Sequence, residues 1–347
     1  MKTPMTASES LSRRDFIARA GLGAAAACLA PSVFASSGDP SAAGAPTPAA
    51  PESYEISFLE KWFFDGGNGT PGQARYKYTP DQTAEVADEI GLDIELTLRK
   101  EGHISPERAP DELPLMVAAL ARKNRRISYL AMDTVRPDER YWEKALRAAK
   151  QLGINRYRHR GFQYDLTKPR KPQIPGFTSM AREFAAANRE IGVQAVYQTH
   201  SGPGAAGAAA WDLDMILADI DPRYFGVAID TQHVMVEQGL SWPNAIDVLA
   251  PRTVALCVKS FRWEEDGATR RCRPLQVPLG QGCVKRDFVQ QVIAAHGGPL
   301  PIILHIEHFK DANGNLVPVP FDQRKGIVDA FRADARVLDR WLGAAQG

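Results

Sequence analysis

The sequence reads as an α/β protein of the (β/α)8 barrel class, an expectation resting on three observations. From about Tyr54 onward, eight short β-rich runs alternate with helical patterns. The strands are separated by helix-length segments, so they are expected to lie parallel, because parallel neighbours cannot be joined by a tight hairpin. No GxGxxG follows the first run, which removes the main argument for an open dinucleotide-binding sheet.

Taken in order, the expected strands are 56–61, 92–96, 126–132, 154–157, 194–198, 225–229, 254–258 and 301–306. Helices are expected at 83–90, 113–122, 141–152, 180–191, 213–218, 288–295 and 326–342. Asp81 and Asp111 read as helix starts, and Gly91, Gly153 and Gly192 as stops. Pro114 then falls in a first turn, where proline is tolerated.

Composition bounds the rest. A chain of 347 residues with 44% apolar and 24% charged content can bury a sizeable core, and its net charge of +1 recommends neither nucleic acid nor a membrane surface as partner. Residues 1–35 read as a leader: Arg13-Arg14 precedes the mostly apolar run 18–30, and Val33-Phe34-Ala35 offers a signal-peptidase site. The paired arginines resemble a twin-arginine signal, which places the mature protein in the periplasm. The apolar run is short of the ~20 residues that span a bilayer, so no stable membrane insertion is expected after cleavage. Lipid attachment through Cys28 is the alternative. Residues 36–52, rich in Ser, Ala, Gly and Pro, read as a disordered tether, leaving 53–347 for a single barrel domain. Without the leader, Cys257, Cys272 and Cys283 remain; Cys272 and Cys283 are candidates for a disulfide in an oxidising compartment. The sequence assigns no oligomeric state.

A barrel concentrates chemistry at the carboxyl ends of its strands. Ionisable residues stand at nearly every one: Glu95, Arg99 and His103 at or after the second, RYRHR at the fourth, Gln198 and His200 at the fifth, Asp230 and His233 in GVAIDTQHV at the sixth, Lys259 and Trp263 after the seventh, and His305, Glu307 and His308 at the eighth. Side chains two apart share a face, so Gln198 goes with His200, Cys257 with Lys259, His305 with Glu307, and Asp230 with Ala228. If these pairs face inward, Gln198, His200, Asp230, Cys257, Lys259 and Glu307 converge on one mouth. Such a set suits a divalent metal held by oxygen and nitrogen, namely Mn²⁺, Mg²⁺, Co²⁺ or Zn²⁺. Plainer readings exist for each residue: Asp230 as a helix cap, His305 as a satisfied buried imidazole, Cys257 as a small core residue and RYRHR as a solvated basic rim.

The order of these motifs resembles the xylose isomerase-like TIM barrels, the superfamily of sugar phosphate isomerases and epimerases. LTLRKEGHISPERAPDELP (96–114), VYQTHSG (196–202), AAWDL (209–213), IDTQH, LSW (240–242), VKSFRW and VPLGQG (277–282) are similar to an exported branch of it. The resemblance implies a metal held by acids at Asp230 and Glu307, with Gln198 where the family has a glutamate and Cys257 where it has a histidine; His200 offers a nitrogen nearby. It also implies that His233 touches substrate and that Lys259 is the lysine of the strand-seven motif, with Ser260 replacing its acid. The expected catalytic set is Glu307, Asp230, His233 and Lys259; the expected metal ligands are Gln198, His200, Asp230 and Glu307; the expected substrate contacts are Arg99, His103, Arg158 and Trp263.

The expected activity is that of an exported isomerase, epimerase or lyase that removes a proton beside a carbonyl of a sugar or sugar derivative. The alternative is a non-catalytic carbohydrate-binding barrel with a degenerate metal site, using Trp211, Trp242 and Trp263 to stack on sugar faces. A nuclease is disfavoured by the near-neutral charge.

Overall fold

A computed structural model describes residues 54–63, 77–134, 136–267, 269–309 and 319–343. The expected leader (1–35), Cys28 and the tether (36–52) lie outside the described residues. Eight parallel strands close into a barrel: β1 (Ile56–Leu59), β2 (Asp93–Thr97), β3 (Ile127–Ala131), β4 (Arg156–His159), β5 (Gln194–Gln198), β6 (Phe225–Asp230), β7 (Thr253–Val258) and, last around the ring, β10 (Ile302–Leu304), which pairs with both β7 and β1. Each strand sits where a β-rich run predicted one, although β4 begins two residues later than expected.

The described helices are α1 (Pro80–Ile90), α2 (Ala109–Ala121), α3 (Trp142–Gln151), α4 (Ile174–Ile191), α5 (Ala210–Leu217), α6 (Thr231–Gln238), α7 (Trp242–Leu249), α8 (Arg286–His296) and α9 (Lys325–Gly343). Local chemistry explains their ends. Thr79, not Asp81, starts α1: its hydroxyl accepts from Gln82 N while the Gln82 side chain accepts from Thr79 N, a reciprocal cap worth about 1 kcal/mol. Gly91 and Gly192 close α1 and α4 in the left-handed conformation, at φ of 88° and 82°. The expected start of α2 at Asp111 and Leu113 is corrected. The helix begins at Ala109 with Pro110 in its first turn, so Pro114 lies inside it.

Two features between β6 and the carboxyl rim escaped the sequence reading. α6 and α7 occupy the β6–β7 connection; TQHVMVEQ has no sustained apolar stripe, so its helicity comes from the cap at Asp230 and from packing. After β7 an antiparallel hairpin rises, β8 (Ser260–Glu265) on β9 (Cys272–Val277). Cys272 is exposed at the start of β9, Cys283 is half-buried, and both are free thiols, so the expected candidate disulfide is absent.

Alternation along the strands separates two cores. One face packs against the helices through residues such as Phe58, Leu96, Tyr157, Tyr197 and Ile229. The other fills the barrel with a small apolar layer of Tyr129, Val196, Ala228, Ala255, Cys257 and Ile303. Gly226 is required at the start of β6: a Cβ there would come within 2.5 Å of Val254 Cγ2. The β6–β7 register then shifts at Val227 and Ala228, just before Asp230, and the β2–β3 register shifts at Ile94 and Glu95. Both irregularities lie in strands that deliver a carboxylate to the mouth, where bulges commonly re-aim side chains.

Candidate active site at the carboxyl ends of the strands

Above the apolar layer, a chain of ionised and amide side chains runs round the barrel interior. His305 Nε2 lies 3.1 Å from Glu95 Oε2, and Arg158 Nε donates to Glu95 Oε1 at 2.6 Å. Arg158 Nη1 donates to Gln198 Oε1 at 3.0 Å, and Gln198 Nε2 donates to Asp230 Oδ2 at 2.6 Å. Lys259 Nζ reaches Asp230 Oδ2 at 3.1 Å, Glu307 Oε2 at 2.9 Å and His233 Nε2 at 2.9 Å. Lys61 closes the chain on Glu307 Oε1.

Three cations, Lys61, Arg158 and Lys259, thus face three carboxylates, Glu95, Asp230 and Glu307. Burial alone would raise the pKa of each acid, but the neighbouring cations outweigh it. Arg158 and His305 hold Glu95 at about 2; Lys259, helped by the His233 backbone N–H, holds Asp230 at about 2; Lys259 and Lys61 hold Glu307 well below the carboxylate range. Burial pulls Lys259 down, and Asp230 and Glu307 more than reverse it, so its amine stays protonated. Lys61 shifts the other way: burial lowers its pKa, and Glu307 offsets only part of this.

The imidazoles complete the rim. Because Lys259 has only protons to give, His233 Nε2 must accept from it, so Nδ1 carries the ring proton and donates to Ser201 Oγ at 2.8 Å. Burial pushes its pKa to about 3, against the pull of Asp230, so His233 is neutral. His200 stacks on it at 5.0 Å between ring centroids and bonds the Gln198 carbonyl oxygen through Nδ1 at 2.9 Å. That bond requires a proton on Nδ1, which leaves Nε2 with a lone pair. Burial lowers the His200 pKa as well.

Asp230 is both things the motif suggested. Its Oδ1 caps α6 by accepting from Gln232 N and His233 N, each at 3.1 Å, while Oδ2 belongs to the charged chain. Glu307, Lys259, His233, Gln198 and His200 all come to this mouth, as does Arg158, though Arg158 bridges Glu95 to Gln198 instead of standing free for a ligand. RYRHR is not a solvated rim: Arg158 points in, while Tyr157 and His159 are buried among the helices, His159 against Phe184 and Phe162. Arg99 pairs with Asp133 in the loops beyond β2 and β3. Trp263 stands half exposed on β8, edge-on to Phe261. His103 is a correction: it is 1% exposed, with Nδ1 3.4 Å from Glu60 Oε2 and Nε2 2.9 Å from Tyr78 O, so it braces the β2 loop and does not line the mouth. Trp242 stacks on Phe288 at 4.6 Å and is a packing residue.

Lys61 was missing from the expected set, and Glu95 stood at its strand end without a role. The alternation rule that sorted the other strands would have found both, since Lys61 is in phase with Leu59 and Glu95 with Thr97 at the ends of β1 and β2.

The four expected metal ligands do not fit a divalent ion as they are arranged. Gln198 turns its donor nitrogen to Asp230 and gives its oxygen to Arg158. Cys257 lies in the apolar layer, where burial raises its thiol well above the usual range and denies a thiolate. Among the described residues, no group of three or more His, Cys, Asp or Glu is placed to hold a metal.

Known proteins share this architecture. Residues 84–333 match the family described as xylose isomerase-like TIM barrel. Among solved structures, the probable 3-DHS dehydratase AsbF of Bacillus anthracis is 16% identical, with a TM-score of 0.54 over 82% of this chain and 98% of that one. A xylose isomerase-like TIM barrel protein from Mycobacterium smegmatis in complex with magnesium is 18% identical (TM-score 0.53; 81% and 98% covered). D-psicose 3-epimerase with D-tagatose from Clostridium cellulolyticum H10 is 13% identical (TM-score 0.55; 83% and 98% covered). No curated protein matches. The closed parallel barrel agrees with the family match over most of its length: the chain belongs to the xylose isomerase-like TIM barrel family.

Proposed function

We propose that this protein is a sugar-active enzyme that moves a proton on the carbon beside a carbonyl, as an isomerase, epimerase or lyase, in the mouth of its barrel. The observation that carries the reading is a pair of groups with hydrogen-bonding capacity to spare in a ring of paired charges. Asp230 already accepts from four donors and Glu307 carries an ammonium on each oxygen, so both acids are held as paired anions and are weak bases. His200 Nε2 has no partner among the described residues, and Lys61 has one acceptor for three protons.

These groups stand at the ends of β5 and β1, which have three strands between them in either direction round the barrel. A small substrate laid across the mouth faces both. Neutral His200 withdraws the carbon-bound proton, and the Lys61 ammonium donates to the carbonyl oxygen as negative charge develops there. Return of the proton to the neighbouring carbon gives isomerisation, a proton delivered to the opposite face from the Lys61 side gives epimerisation, and its transfer to a departing β-hydroxyl, lost as water, gives elimination. Because every cation of the ring already has a carboxylate, the site favours neutral or oxidised sugars and glycosides over phosphate esters. This agrees with the reading of residues 1–35 as a twin-arginine leader that delivers the folded enzyme to the periplasm; its loss from periplasmic protein is read directly by intact mass.

The test is exchange of carbon-bound hydrogen in deuterated water over a panel of keto-sugars, with sugar binding followed by tryptophan fluorescence. Wild type should exchange at least one member, and His200→Asn should slow exchange ~10²- to 10⁴-fold with binding retained. Saturable binding with no exchange anywhere would leave the second reading, a carbohydrate-binding barrel, which the half-exposed Trp263 and the saturated acids favour.

A further inference from the structure

We propose that the Lys259 ammonium is the resident cation of this site and holds, among Asp230, His233 and Glu307, the place a divalent metal would take. An ammonium has three protons, and Lys259 Nζ meets three acceptors, at 2.9, 2.9 and 3.1 Å. The side chain is 3% exposed, so water does not compete for those protons.

The backbone is built to aim it. Buried Thr231 accepts from Lys259 N at 3.1 Å and donates to Lys259 O at 2.7 Å, fixing the end of β7 against the start of α6. That clamp joins the residue after Asp230 to Lys259 itself, so acid and ammonium are positioned by one contact. The neighbouring amide points the same way. Gln198 presents N–H to Asp230 Oδ2 at 2.6 Å, a second donor where a metal would need a lone pair.

Charge decides between the two occupants. With Lys61, Arg158 and Lys259 opposed to Glu95, Asp230 and Glu307, the buried ring is neutral. A divalent ion added to it would leave two uncompensated charges out of water, an arrangement that proteins avoid. The ion enters only if the ammonium leaves. The acids are therefore a cation site already filled by the chain, and cation binding at them is conditional on residue 259.

Occupancy of this place is measured without substrate, so its test is independent of the proton-transfer reading. The full chain is stripped with chelator and then titrated with Mn²⁺, Co²⁺ and Zn²⁺, following uptake by calorimetry and melting by circular dichroism. Wild type should take up no stoichiometric ion at the acids and show no rise in Tm. Lys259→Ala opens the place and should bind about one ion per chain, raising Tm by about 5 °C at ~100-fold excess over Kd. Wild-type uptake of about one ion per chain that Asp230→Asn abolishes would overturn the proposal. So would a folded Lys259→Ala that binds none. Should that variant fail to fold, the wild-type titration with its Asp230→Asn control decides alone.

Discussion

The floor and the mouth of the barrel are made by the same strands, two residues apart, yet they are stable for opposite reasons. Ala228, Cys257 and Ile303 belong to a dry apolar layer that needs only close packing. Asp230, Lys259 and His305 follow them along the same inward faces and need complete pairing, because a buried charge without a partner is among the costliest things a protein can hold. The floor should tolerate apolar substitutions that preserve volume. The mouth should lose stability with any substitution that leaves a charge unpaired.

Floor and mouth should differ most at Lys259. Lys259→Met keeps most of the side-chain volume and leaves the buried Asp230 carboxylate with neutral donors and no cation, so unfolding in denaturant should show a loss of ~3–5 kcal/mol. At the floor, Ile303→Ala should cost a little less, ~2–4 kcal/mol, by leaving a cavity, and should leave any exchange activity of the remaining folded protein close to wild type.

A smaller effect comes from a buried acid outside the mouth. Among the described residues, Asp334 on α9 accepts only from Leu279 N, at 3.1 Å, and burial raises its pKa to about 7. Glu95 and Asp230, more deeply buried but paired with cations, sit at about 2. The signs are opposite. A raised acid stabilises the fold below its unfolded pKa of ~4 and loses that contribution as pH rises towards 7, whereas the depressed pair contributes above ~4 and is lost as pH falls towards 2. Asp334→Asn should therefore raise stability by ~1 kcal/mol at pH 8 and flatten the profile between pH 4 and 7, while the acid limb below pH 4 remains.

Much of the molecule was legible from the chain. The strand positions follow from apolar runs, and Gly91 and Gly192 mark helix ends because only a left-handed residue closes them there. Asp230 could be placed at a strand end facing inward because Ala228 shares its phase. His103 misled for a physical reason: it follows β2 as a catalytic residue would, but the isolated bridge between Leu98 and Ile104 folds its loop back, so its ring turns to Glu60. Lys61 was passed over because one lysine at the end of a strand carries no local mark of its partner.

Strand alternation and the βα repeat are local properties of the chain, and they were enough to specify the barrel and the gathering of ionisable groups at one rim. Which group answers which was settled by long-range contacts. Lys61 meets Glu307 across 246 positions and His305 meets Glu95 across 210, and those contacts exist only once the sheet has closed. Closure makes Lys259 the cation of the site and leaves His200 with a free lone pair, since the choice of partner for a buried charge depends on distances across the barrel that no stretch of sequence encodes.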